Sequence, residues 1–310
     1  MSKVGISSGI LGGTIASLRQ NLEQLVAVGF DAAELNSRNL NVSINGRQHP
    51  ERLARVKAAI EGLPLTFTLH GSEVASSRGG NLFDTTSESE RQIFASDLEL
   101  AGELGATVLV YHSGTTRDPY PDDRAFTQGL LAERNALREF GDRAAELGVT
   151  IAVENRDPVA RYIIRRAYGF DLLRLAEQIE AVDHPNVKIC FDTGHAFLSY
   201  TYLGKGIEGY LADIKAIAPL IGHLHITDNF GQVQLDSDRD GGENLIAGDG
   251  DLHLLPGWGA IPFDEIFSIP LPLQPIANLE IKPIFYEHLD EAYATVARLW
   301  TNAPAIAAAD

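Results

Sequence analysis

Two periods of hydrophobicity alternate along this chain. Short apolar runs, several with strict one-in-two alternation, are each followed by a longer stretch whose apolar positions recur every three or four residues. Strands are predicted over 4–7, 31–35, 64–70, 107–112, 150–155, 186–192, 222–228 and 275–281, and helices over 15–28, 50–60, 88–104, 127–147, 171–182, 209–220, 263–267 and 289–300. Glycines at 29, 105 and 148 close three of the helices, as expected of a residue that tolerates the left-handed turn after a helix. The run at 107–112, Thr-Val-Leu-Val-Tyr-His, is nearly all apolar, which suits a parallel strand covered on both faces.

Eight strands alternating with helices argue for parallel pairing. The expected fold class is α/β, a single (β/α)8 TIM barrel with an enlarged loop before the last strand. The barrel is expected over 1–302, with an Ala-rich tail over 303–310. An open doubly wound sheet is the rival architecture, but no Gly-x-Gly-x-x-Gly follows the first strand.

Polar residues gather where strands end. His70, His112, Glu154, Asp192, His225 and Glu280 terminate six predicted strands, and His195, Asp251 and His253 lie in the loops that follow. A barrel brings such ends to one mouth. A single strand histidine is more often a core or surface residue, but this joint pattern supplies a mixed imidazole and carboxylate set suited to Zn²⁺, Mn²⁺ or Co²⁺. Carboxylates clustered without cations would repel one another, and metal relieves that. His223, two residues before His225, is read as a core histidine, and Glu34 as a solvated carboxylate.

Composition narrows the partners. The chain has 310 residues, 25 basic against 42 acidic, and a net charge of −17. Such a surface repels phosphate backbones and anionic lipid, so nucleic acid and membrane are not expected as partners. No run approaches the ~18 apolar residues of a membrane span. The single cysteine, Cys190, is read as a small buried hydrophobe, and a cytoplasmic setting is expected. The strongest basic cluster, Arg156, Arg161, Arg165 and Arg166, follows Glu154. It could clamp a phosphate or carboxylate, and a solvated helix start paired with acids is an equal reading. The segment Asp236-Ser-Asp-Arg-Asp240-Gly matches half of a calcium loop, but Ala247 occupies the position where a bidentate Glu belongs. A solvated lid is therefore favoured there over calcium binding.

On these residues the chain resembles the xylose-isomerase-like TIM barrels, which include sugar isomerases and epimerases and apurinic-site endonucleases of the endonuclease-IV type. The resemblance spans nearly the whole chain. It implies one metal on Glu154, Asp192, His225 and Glu280, as in the sugar enzymes. It also offers a candidate at each of the nine ligand positions of the trizinc endonucleases: His70, His112, Glu154, Asp192, His195, His225, Asp251, His253 and Glu280. Asp192-Thr-Gly-His195-Ala-Phe and Asp251-Leu-His253 with Pro256-Gly-Trp-Gly-Ala-Ile261 are close to that group's motifs. The negative charge and the loop over 230–250 depart from a DNA repair enzyme.

Two functions follow as expectations. Slightly ahead stands a phosphoester hydrolase with up to three zinc ions, acting on a small anionic substrate bound by Arg156, Arg161 or Arg165. Behind it stands an isomerase or epimerase of a sugar or sugar phosphate, with one Mn²⁺ or Mg²⁺, Glu154 and Glu280 as the acid–base pair and His195 polarising the carbonyl. The substrate is a small carbohydrate or phosphorylated molecule in either case, and a homo-oligomer is open to such a barrel.

Overall fold

Strand alternation settles what lines the inside of the molecule. A computed structural model describes residues 3–7, 15–72, 80–84, 87–234 and 241–303. Eight parallel strands close into a barrel: β1 (Val4–Ser7), β2 (Ala32–Asn36), β3 (Thr66–His70), β4 (Val108–His112), β5 (Thr150–Glu154), β6 (Val187–Asp192), β7 (Ile221–Ile226) and β8 (Ile276–Leu279). Each pairs with its neighbour in sequence, and β8 returns to β1. The expected (β/α)8 barrel is what forms. Segment 236–240, read as half a calcium loop, falls outside the described residues, as does the tail beyond Ala303.

The outer faces of the strands carry Leu69, Leu109, Ile151, Val153, Ile189, Phe191 and Leu224, all buried in one continuous core. Against them pack helices α1 (Ile15–Val28), α2 (Pro50–Ile60), α3 (Glu88–Glu103), α4 (Asp123–Leu147) and α5 (Leu172–Val182) through side chains such as Leu18, Leu22, Val56, Leu98, Leu137 and Ile179. Val108, Val110, Ala152 and Cys190 form a separate buried cluster inside the barrel. One step further along each of these strands, the same alternation aims His112, Glu154 and Asp192 into the mouth. Register matches them up: His112 pairs with Glu154, Glu154 with Cys190, and Asp192 with His225.

Some elements depart from the sequence pattern. A helix, α6 (Thr193–Tyr202), begins directly after Asp192 where a tight turn is expected. Asp192 is itself the cause, because its Oδ1 accepts the His195 N–H at 2.6 Å and so caps that helix. A two-stranded hairpin, Ser43–Ile44 with Arg47–Gln48, fills the connection before α2. Among the described residues no helix is long and apolar enough to cross a membrane.

Candidate metal centre

Nine side chains from six strand ends, the start of α6 and one loop meet at the carboxyl end of the barrel, and they sort into three sets. Glu154, Asp192, His225 and Glu280 each bring one ligand atom within 4.8 Å of the others, and so do His70, His112 and Glu154. His195 and His253 meet through Asp251, whose Oδ2 lies 3.4 Å from His195 Nε2 and 2.7 Å from His253 Nε2. Glu154 belongs to the first two sets and also stands 3.4 Å from His195 Nδ1.

Hydrogen bonds fix which face of three rings looks into the cluster. His70, His195 and His253 each direct Nδ1 at a backbone carbonyl, of Gly71 at 3.1 Å, Asn155 at 3.0 Å and Glu280 at 2.9 Å. A carbonyl only accepts, so Nδ1 carries the proton and Nε2 of a neutral ring presents a lone pair. Those lone pairs point at other acceptors. His70 Nε2 faces His112 Nε2 at 3.2 Å and Glu154 Oε2 at 3.6 Å. Lone pairs set against carboxylate oxygens repel unless a cation, proton or metal, lies between them.

The electrostatics say the same. Burial alone would lower the histidines, yet Glu154 raises His70 to about 10 and Asp251 raises His253 to about 9. His195 is likewise held well above its ordinary value, against burial, by Asp192 and Asp251. Burial pushes Asp192 up to about 7, with His195 opposing. In Glu154 burial acts upward, but His112 and His225 prevail and hold it well below the usual carboxylate range. Two buried oxygens, Asp192 Oδ2 and Glu154 Oε2, accept no well-directed hydrogen bond, although His112 Nε2 stands 2.8 Å from the latter. Buried acceptors of this kind call for a partner, and an O/N donor set without thiolate fits a divalent metal.

Glu34 corrects the sequence reading. It is not solvated: it is 2% exposed and accepts from His223 Nε2 at 3.0 Å, Thr68 Oγ1 at 3.0 Å and Ser7 Oγ at 3.0 Å, besides facing His225 Nε2 at 3.1 Å. With Nε2 turned to Glu34, His225 presents Nδ1 to Glu154 at 3.0 Å and Glu280 at 3.7 Å. His223 is buried, as expected of a core histidine, and its Nε2 meets this carboxylate while its ring packs edge-on against His225. Alternation could have found Glu34, since it shares an inward parity with Asn36.

Two further buried acids shape the loops, and sequence reading passed over both. Asp97 accepts from Ser72 N at 2.6 Å and from the Ser37 hydroxyl, pinning the turn after His70. Asp228 accepts from the backbone N–H of Gly257, Gly259 and Ile261 at 2.8, 2.8 and 3.1 Å. It therefore folds the 256–261 motif back against the barrel. Leu254 pairs with Asp228 in an isolated bridge, which fixes the neighbouring His253 in a left-handed conformation, φ 48°.

A cavity of about 300 Å³ opens beside the cluster, and Glu34, Asn36, His70, His253, Glu280, Lys282 and Tyr286 are among the residues lining it. Arg156, Arg161 and Arg165 do not line it. Arg156 is buried, with Nε on the Ser113 carbonyl at 2.5 Å and its guanidinium over the Tyr162 ring, and Arg161 stacks on the same ring. Arg165 offers its backbone carbonyl to the Thr116 hydroxyl at 2.6 Å.

The sequence matches the family model described as xylose isomerase-like TIM barrel over residues 22–269. Among solved structures, a D-tagatose 3-epimerase-like protein is 20% identical with a TM-score of 0.66, over 96% of this chain and 98% of that one. An L-ribulose 3-epimerase is 16% identical, TM-score 0.67, over 98% and 96%. A 3-keto-D-glucoside 4-epimerase from E. coli is 16% identical, TM-score 0.66, over 96% and 100%. Likeness at such identities establishes the fold. No curated protein sequence matches the chain.

Proposed function

The chain belongs to the xylose isomerase-like TIM barrel family, and from that membership we propose that it is a divalent-metal-dependent isomerase or epimerase of a small carbohydrate. The observation that carries this reading is the quartet of Glu154, Asp192, His225 and Glu280 beside a polar cavity of about 300 Å³. That volume lies at the small end of ligand sites, and the amides, hydroxyls and carboxylates around it suit a polyhydroxylated molecule. The three solved structures named above are epimerases or epimerase-like, which favours the same chemistry.

A divalent ion on the quartet, Mn²⁺ or Mg²⁺ in this reading, supplies Lewis-acid stabilisation of developing negative charge on substrate oxygen. The protein's own residues handle the protons. Glu280 lines the cavity and takes the proton from the carbon beside the carbonyl. Glu154, fully buried in the same quartet as Glu280, serves the opposite face of the resulting enediolate and returns a proton there. His195 helps to polarise the carbonyl oxygen.

A second reading, the phosphoester hydrolase with up to three zinc ions, is favoured by one observation: His70, His112 and Glu154 form a further ligand set, and His195, Asp251 and His253 adjoin one another. The sequence put this reading slightly ahead. It now stands second, because the expected phosphate-binding arginines do not line the cavity and the solved structures named above are epimerases or epimerase-like.

The test is solvent exchange. Metal-loaded protein is incubated with a panel of ketopentoses and ketohexoses in D2O, and deuterium next to the carbonyl is followed by NMR. Metal-dependent incorporation that vanishes in Glu280→Gln is expected. Absence of exchange, with zinc-dependent cleavage of a generic phosphodiester instead, would replace this reading by the second.

A further inference from the structure

Resting on the isomerase reading, we propose that the substrate carries an anionic group, a phosphate ester or a carboxylate, and that Lys282 binds it in the cavity beside the metal quartet.

Among the described residues, Lys282 is the only lysine or arginine lining this cavity. Its backbone is fixed, with N–H bonded to the His253 carbonyl at 3.1 Å, and it leads into the short 3-10 helix Pro283–His288. The side chain is half-buried, yet among the described residues Nζ makes no hydrogen bond or ion pair. Asp251, the carboxylate that acts on it electrostatically, is already met by His253 and His195. A partly desolvated ammonium without a counter-charge is costly, even in a chain with 42 acids against 25 bases.

The neighbouring groups are donors as well. Asn36 spends its side-chain oxygen on the N–H groups of Arg38 and Asn39 at 3.0 and 3.3 Å, which leaves its NH2 for the cavity. Asn39 lines the same cavity. An ammonium beside amide donors matches an anion better than a hydroxyl, because charge-assisted hydrogen bonds are the stronger ones. The carboxylates Glu34 and Glu280 line the same cavity, so a bound molecule would meet groups of both signs. That mixture suits a sugar with one charged end.

Three ligands with the same carbon count separate the possibilities: fructose 6-phosphate, gluconate and neutral fructose, titrated calorimetrically into metal-loaded protein. At least one anion is expected to bind more tightly than fructose, and the preferred anion identifies phosphate or carboxylate. Lys282→Met should weaken that anion by about tenfold or more, leave fructose within about twofold and leave metal content unchanged, while Lys282→Arg retains the preference. Equal affinity for anion and fructose in the wild type, or an anion affinity untouched in Lys282→Met, overturns the inference. If deuterium exchange on neutral ketoses persists in that case, the isomerase reading survives alone; if exchange is also absent from the wild type, both fall.

Discussion

His225 turns Nε2 to Glu34 at 3.1 Å and Nδ1 to Glu154 at 3.0 Å, so two buried carboxylates hold one imidazole between them. This relationship decides how His225 can act as a ligand. Burial would push Glu34 up, but His225 and His223 keep it well below the usual carboxylate range and thus charged. A carboxylate on the far nitrogen sets the ring's tautomer and makes its near nitrogen more basic. Glu34→Gln should therefore weaken metal binding about 10- to 100-fold, measured by competition with a chromogenic chelator. An unchanged affinity would remove Glu34 from any role beyond packing.

His112 separates the two functional readings. Its ring belongs with His70 and Glu154 and not with the quartet. In His112→Ala, deuterium exchange on a ketose should stay within a few-fold of wild type. A loss of about a hundredfold or more, the size expected when a metal-held nucleophile or Lewis acid is lost, would favour the hydrolytic site.

The histidines also predict how the metal-free protein responds to pH. His70 at about 10 and His253 at about 9 are raised above the unfolded value near 6.5. A raised histidine contributes stability that is full below the unfolded pKa and disappears as pH climbs through the folded one. With chelator present, the melting temperature should fall between pH 7 and pH 10, whereas the metal-loaded protein should change much less. A metal-free protein whose melting temperature holds steady or rises over that range would contradict the cation-dependent cluster.

Gly259 is held by Asp228. A Cβ there would lie 2.4 Å from Asp228 Oδ1 and 2.5 Å from the Asn229 carbonyl. Neither atom can retreat, since Asp228 is occupied by three backbone N–H groups of this loop. Gly259→Ala should destabilise the protein by about 1–3 kcal/mol, read as a lower denaturant midpoint at unchanged slope. An Ala variant as stable as wild type would show that the loop is held some other way.

Much of this was legible in the chain because the two kinds of information are local. Strand alternation and the spacing of histidines and carboxylates mark both the barrel and its polar rim, and all nine expected ligands meet there. The supporting acids were harder to see. Glu34, Asp97 and Asp228 are each ordinary in sequence, and each takes its meaning from partners far away in the chain, such as His225 with Glu34 or Gly259 with Asp228. Helix α6 was missed because Thr193-Gly194-His195 reads as a turn, and only the cap made by Asp192 shows that a helix starts there. Arg156 looked like a clamp by charge, but the Ser113 carbonyl and Tyr162 ring occupy its guanidinium.

The metal content of the purified chain tests the central claim most directly. Protein dialysed against divalent metal and then metal-free buffer should retain about one ion per chain by elemental analysis on the isomerase reading, and Asp192→Ala should lose it. Two or three retained ions would shift the account to the hydrolytic reading. No bound ion in the wild type, with Asp192→Ala indistinguishable from it, would contradict a metal centre at this barrel mouth.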